Sequence, residues 1–184
     1  MKRIELIGAL NQYETDFVEE LAFIPRFKSL LNNFPNCFER SLVTGHITAS
    51  SWIINPSGNE VLLVHHRKLG KWLQPGGHAD GDENTKNVSV KEAKEETGLS
   101  SLKLLKDGIF DIDIHLIPYH KNTQSHFHYD IRYLFKASKD EQIIVNDESN
   151  EVKWISLESI QKYIEPNRSI TRMSLKTKSI FNSN

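Results

Sequence analysis

Five stretches of the chain alternate apolar with polar residues or run apolar without a break. They are Thr44 to Ile54 (TGHITASSWII), Val61 to His66 (VLLVHH), Ile109 to Ile117, Tyr129 to Phe135 and the short Val152 to Ile155. β-Branched and aromatic residues dominate them, so each predicts a strand. Asn55-Pro56-Ser57-Gly58-Asn59 is a turn cluster between the first two, and Lys71 to Gly77 (KWLQPGG) is an extended segment entering a glycine loop. Asn87 to Thr97 holds no Pro or Gly and many strong helix formers, and Gly98 follows as the expected left-handed stop. Ser156 to Tyr163 opens on a serine cap before a second helical pattern. Upstream, Tyr13 to Leu31 is amphipathic, with Phe17, Leu21 and Ile24 at helical offsets and Pro25 expected to end or kink the helix. Phe27, Leu30, Leu31 and Phe34 continue the stripe. The simplest reading is a helical pair on the flank of a domain, with a dimer interface or lid as the alternative. The basic stretch Arg168 to Lys178 is expected to be a solvated final helix or frayed end.

Composition narrows the class. At 184 residues the chain can bury a substantial core, and 23 Lys plus Arg against 24 Asp plus Glu leave no basic field for extended nucleic acid. The single cysteine, Cys37, cannot form an internal disulfide and fits a reducing, cytoplasmic setting. No long apolar run predicts a membrane span.

The chemistry concentrates between Gly77 and Leu99. Gly77 is followed by five residues and Glu83; seven more lead to Lys91-Glu92, Ala93, one residue, Glu95-Glu96, one residue, and Gly98-Leu99. On a helix Glu92 and Glu96 stand one turn apart with Glu95 beside them, at roughly 5–6 Å spacing. Three like charges so close repel unless a cation sits among them, and hard oxygen donors suit Mg²⁺ or Mn²⁺. A surface helix accounts for the charges but not for Gly77, Glu83 and Gly98 at their offsets.

This spacing resembles the Nudix box, G-x5-E-x7-R-E-U-x-E-E-x-G-U with U aliphatic or small, departing only at Lys91 where the family has Arg. The resemblance implies an α/β fold, a Nudix-type α/β/α sandwich with a mixed sheet, here carrying an N-terminal helical extension. It divides the chain into residues 1–41 (extension), 42–165 (Nudix domain) and 166–184 (C-terminal helix or tail). It implies metal-ligand roles for Glu92, Glu95, Glu96 and the Gly77 carbonyl, with Glu96 central and Glu95 a candidate base. Glu83 is expected to pair with the box cation, Lys91. Lysine keeps the charge but not the planar fork of arginine, so metal affinity or rate should be altered.

A second constellation lies outside the box. In Ser125 to Tyr133 (SHFHYDIRY), alternate positions carry His126, His128, Asp130 and Arg132, which a strand would place on one face. His115 on a neighbouring strand could face them. Three readings stand: a second metal site drawing on His115, His126, His128 and Asp130; a polar pocket wall gripping phosphate or sugar; or a satisfied buried network. His78, next to Gly77, either approaches substrate or packs the loop. With GHITAS and WLQPGGHAD these stretches resemble a subgroup of bacterial Nudix proteins.

The expected activity is metal-dependent hydrolysis of a phosphoanhydride bond in a nucleoside diphosphate linked to another group, on a small nucleotide substrate, with a homodimer possible. The alternatives are a non-catalytic nucleotide-sensing module of the same fold and a diphosphate isomerase. The second wants a cysteine inside the core, whereas Cys37 precedes the first core strand.

Overall fold

The computed structural model describes residues 2–119 and 123–182, the last of these by its backbone alone. Two helices, α1 (Arg3–Asn11) and α2 (Val18–Asn33), precede the strands β1 (Gly45–Ile54), β2 (Glu60–His66), β3 (Lys71–Leu73) and β4 (Gly76–His78). Helix α3 (Thr85–Thr97) follows, then β5 (Lys103–Leu104), β6 (Asp111–Ile117), β7 (His126–Lys136), β8 (Ser149–Ser156) and helix α4 (Arg168–Asn182). Together they form a mixed sheet with helices on both faces.

The parallel pair β1–β7 is the axis of the sheet, running in register from Gly45↔Phe127 to Ile54↔Lys136. Every other pairing is antiparallel: β2 and β4 share the second edge of β1, β5 and β6 share the second edge of β7, and β3 and β8 flank β2. All ten residues of β1 are buried. Its side chains alternate between two layers, so each face meets a different core. Ile47 and Ile53 join Ile131, Tyr133 and Phe135 with Ala93 and Leu99 of the α3 region and Leu6, Leu10, Phe27 and Leu31 of the N-terminal helices. Trp52 and Ile54 join Leu134, Val61 and Leu63 with Ile170 and Met173 of α4.

Single hydrogen bonds seat the helices. Ser51 Oγ donates to the Ser89 carbonyl and Thr85 Oγ1 meets Tyr133 Oη at 2.6 Å, which fixes α3 to one face. The Trp52 indole donates to Thr177 Oγ1 at 2.9 Å, which fixes α4 to the other. Asn84 caps α3 by accepting from the Asn87 amide, and Gly98 ends it at φ 75°, as its sequence position predicts.

Three expectations change. Ser156 to Tyr163 forms no α-helix, only a short 3-10 turn over Ile160–Lys162. Helix α4, expected to be solvated or frayed, instead packs on the sheet, with Ile170, Arg172, Met173 and Thr177 buried. Pro25 does not end α2, which continues to Asn33 because Phe27, Leu30 and Leu31 bury against the sheet, although the proline ring offers the Leu21 carbonyl no helical donor. Helix α1 has a weak apolar pattern, yet Leu6 and Leu10 are buried.

Strand β6 has a free edge, and charged residues cover it. The Ile112 amide donates to Glu20 Oε1 and the Ile112 carbonyl accepts from Arg172, so α2 and α4 satisfy both edge groups. Glu20 is fully buried and also accepts from Tyr13, Thr15 and Lys176. Asp111, likewise fully buried, holds Arg132, Arg172 and Lys176. This buried ion network fastens the N-terminal helices, the sheet edge and α4 to one another. Among the described residues no helix is long and apolar enough to cross a membrane.

Candidate active site

The glycine loop and α3 meet face to face because β4 pairs with β1. The register Ala49↔Gly77 aims Gly77 at the α3 layer, while Thr48↔His78 aims His78 at the opposite layer. The Gly76 amide donates to Glu96 Oε2 at 3.2 Å. A Cβ on Gly77 would overlap the Glu92 carboxylate, and one on Gly76 would lie 2.7 Å from Ser50 Cα. At Gly76 only a bare backbone lets β4 lie this close to β1, whereas at Gly77 a Cβ would meet only the movable end of Glu92.

Glu92 and Glu96 therefore converge on Gly76-Gly77. Burial pushes the Glu96 carboxyl up to about 8, with Glu92, Glu148 and Glu95 adding repulsion against the lowering effect of the Gly76 amide. Burial and Glu95 also raise Glu92, while Lys91 pulls it down. These half-buried carboxylate oxygens, gathered at one place, form a donor set that fits a hard divalent cation. Glu95 stands apart, exposed, its carboxylate 3.9 Å from Lys91, which is also 4.0 Å from Glu92. Glu83 turns away from Lys91: it accepts from the Arg3 amide at 3.1 Å and lies 3.4 Å from the Arg3 guanidinium. The expected partner was Lys91; α1 supplies Arg3 instead, a cation from a helix the sequence pattern barely marks. Glu148, not singled out from sequence, faces Glu96 closely enough to add to its negative surroundings.

On the other face, period two places His126, His128, Asp130 and Arg132 together as expected, and the parallel register sets His46, Thr48 and Ser50 beside His128, Asp130 and Arg132. Asp130 and Arg132 are each 2% exposed. Asp130 accepts from Thr48, Ser50 and Arg132, at 3.0, 2.9 and 2.7 Å. Arg132 also pairs with Asp111 and Asp113. Both spend their polar atoms inside the protein, so they brace the pocket wall without reaching a ligand, and Asp130 has no oxygen free for a metal. His115 is turned to Asp113, 3.1 Å from Nδ1.

His46, His78, His126 and His128 cluster. His46 stands 5.1 Å from His78, 5.0 Å from His126 and 5.1 Å from His128, ring centre to ring centre. Burial, with the neighbouring imidazoles, holds His128 down to about 2, and burial with Arg40 holds His78 down to about 4, so these rings are neutral at pH 7. They border a cavity of about 590 Å³ that also touches Arg40, Ile117 and Gln124. His46 is the member that sequence reasoning missed. The signal was the alternation His46-Thr48-Ser50, which matches His128-Asp130-Arg132. Cys37 is fully buried in the apolar core and its thiol is pushed up by that burial, so it is not a poised nucleophile.

A Lactococcus lactis subsp. cremoris (strain MG1363) protein named as a probable DHNTP pyrophosphohydrolase is 29% identical over 85 residues, 45% of this chain and 50% of its own length. A Bacillus subtilis (strain 168) protein that carries the name "Putative 8-oxo-dGTP diphosphatase" is 26% identical over 118 residues, 63% of this chain and 70% of its own. The chain thus spans about half the length of the Lactococcus relative. Among solved structures, a C. elegans Ap4A hydrolase in a binary complex matches with a TM-score of 0.60 at 20% identity, covering 75% of this chain and 98% of that one, a likeness of fold. The family model for the NUDIX domain matches residues 44–173, from β1 into α4. The glycine loop and the carboxylate helix both lie inside the matched residues, and the chain belongs to the NUDIX domain family.

Proposed function

We propose that the chain hydrolyses a phosphoanhydride bond in a small nucleotide-like substrate, a nucleoside diphosphate bearing another group, with Mg²⁺ or Mn²⁺ as cofactor. The observation that carries this reading is the convergence of Glu92 and Glu96 on the Gly76-Gly77 backbone. Glu92, Glu96 and the Gly77 carbonyl would hold the metal, which when bound polarises phosphoryl oxygens and acidifies a water.

The residues divide the remaining work. Glu92 and Glu96 gather negative charge where the substrate phosphates must be matched by a cation, and the Gly76 amide keeps Glu96 oriented. Glu95, exposed beside Lys91, is the carboxylate free to take a proton from the attacking water. Lys91 offsets the Glu92–Glu95 repulsion from the solvent side. Glu83 acts as a positioning residue by tying α1 to the glycine loop through Arg3. His78, His126 and His128 border the cavity where a phosphate-linked group would lie, with Asp130 and Arg132 bracing the wall behind them. The names of the relatives support triphosphate-type nucleotides as the first substrates to try.

The test is turnover of a panel holding dihydroneopterin triphosphate, 8-oxo-dGTP, dNTPs, dinucleoside polyphosphates, ADP-ribose, NADH and sugar nucleotides, with Mg²⁺ or Mn²⁺. Turnover of one member that disappears in Glu96→Gln supports the reading. Tight nucleotide binding without turnover would instead identify a nucleotide-sensing module.

A further inference from the structure

We propose that His46, His78 and His128 form a binding site for a transition-metal ion, Zn²⁺ being the best fit, distinct from the carboxylates of α3. Three strands deliver the three rings. The parallel register of β1 and β7 pairs His46 with His128, and the antiparallel register of β1 and β4 pairs His78 with Thr48, so all three share one face. Their ligand atoms lie within 4.8 Å of one another. A tetrahedral ion with nitrogen bonds of about 2.1 Å needs them about 3.4 Å apart, within reach of small side-chain rotations.

The hydrogen bonds around the cluster prepare lone pairs. His46 Nδ1 lies 3.4 Å from the Leu42 carbonyl, an acceptor, so its proton belongs there and Nε2 carries the lone pair. His46 Nε2 is buried and has no hydrogen-bond partner. An unsatisfied buried polar atom typically costs about 1–3 kcal/mol, and a metal ion is the partner that the neighbouring rings converge to provide for. His126 Nδ1 donates to the Gln124 carbonyl at 2.8 Å, so its Nε2 accepts from His128 Nε2 at 3.2 Å, which places the lone pair of His128 on Nδ1. Backbone carbonyls that fix the tautomer of metal-bound imidazoles are the usual support of such sites.

The donor chemistry selects the ion. Three imidazoles without a carboxylate suit Zn²⁺ or its neighbours and not Mg²⁺, which demands oxygen donors. Asp130, the nearest acid on this face of β7, is consumed by Thr48, Ser50 and Arg132. The fourth position opens on the cavity beside Arg40 and Gln124. Three protein ligands with one open position is the pattern of zinc sites that take a water or an anionic oxygen from a ligand. Because Gly77 and His78 point to opposite layers, one short strand serves both centres.

The test loads the metal-stripped full chain with Co²⁺, read by visible absorption and by X-ray absorption at the cobalt edge. The expected result is about one equivalent of four-coordinate, nitrogen-ligated Co²⁺, displaced by Zn²⁺ but not by excess Mg²⁺. It persists in Glu96→Gln and is lost in His78→Ala and in His46→Ala. Bands that vanish in Glu96→Gln and survive in His78→Ala would assign the ion to α3 and overturn the proposal. An all-oxygen shell, or no tightly held equivalent in the unaltered chain, would overturn it as well. The edge spectrum of the unaltered chain decides even where a histidine variant fails to fold.

Discussion

Replacing Glu20 by alanine tests whether the N-terminal helices are an integral part of the fold. Glu20 is fully buried, and its carboxylate accepts from Tyr13 Oη at 2.6 Å, from Thr15, from Lys176 Nζ at 2.6 Å and from the Ile112 amide at 3.1 Å. Removing it leaves Lys176 with Asp111 as its remaining carboxylate and strips the Ile112 amide at the sheet edge of its acceptor. Breaking a buried ion pair at one partner costs about 3–5 kcal/mol, and an orphaned amide about 1–3 kcal/mol. The two losses overlap because one water entering the gap relieves both, so about 4 kcal/mol is expected. For a chain of this length that corresponds to a fall in Tm of roughly 8–16 °C. Thermal and urea unfolding at pH 7 would measure it, and a double-mutant cycle with Lys176→Met should give a coupling of about 2 kcal/mol or more. A loss under about 1 kcal/mol, or strict additivity with Lys176→Met, would refute the reasoning and reduce the extension to a loosely held appendage.

Other expectations concern the two faces of the sheet and the acid limit. Gly77→Ala should displace only the flexible end of Glu92, so stability should change by about 1 kcal/mol or less while turnover drops at least about tenfold; melting and kinetics on one preparation separate the two effects. Lys91→Arg should restore a planar fork beside Glu92 and Glu95, lowering the Mg²⁺ needed for half-maximal turnover a few-fold. Its Tm should hardly move, since this exposed pairing is worth about 0–1 kcal/mol. Burial alone would raise the carboxyls of Asp111 and Asp113, but the adjoining arginines overcome it and hold both below the ordinary 3.8. Depressed folded values mean stability that is present above the unfolded value and lost as pH falls through it towards the folded one. The urea midpoint should therefore decline below about pH 4, and less steeply in Arg172→Met, which weakens the pairing; an equal slope in that variant would remove Arg172 from the explanation.

What the sequence revealed divides by range. Helix α3, its glycine stop, the five main strands and the gathering of Glu92 and Glu96 at the glycine loop follow from local spacing, and local spacing is what a single chain displays. Period two put His126, His128, Asp130 and Arg132 on one face correctly. It could not say that His46 and His78 would join them, because that depends on the registers of β1 with β7 and β4, which are tertiary facts. Nor could it say that Asp130 and Arg132 would be used up internally. The Glu83–Lys91 pairing failed for a similar reason: the competing cation, Arg3, lies 80 residues away. Helix α4 looked like a solvated basic end because Arg172 and Lys176 read as surface charge, whereas buried partners from α2 and β6 draw them inward.

The long-range pairings also set an order of events. Thr48 and Asp130 are 82 residues apart, and Tyr13 and Lys176 are 163 apart. Parallel strands and distant closures form late, since loop entropy must be lost before such contacts repay it. During vectorial synthesis Leu6, Leu10, Phe27 and Leu31 emerge long before most of the sheet that covers them. The all-buried β1 must likewise wait for β7, which makes it the segment most exposed to wrong partners. Helical signal in refolding is therefore expected to recover early, with the histidine face assembling only when β7 docks. Regained metal binding would mark the completed fold more sharply than regained helix content.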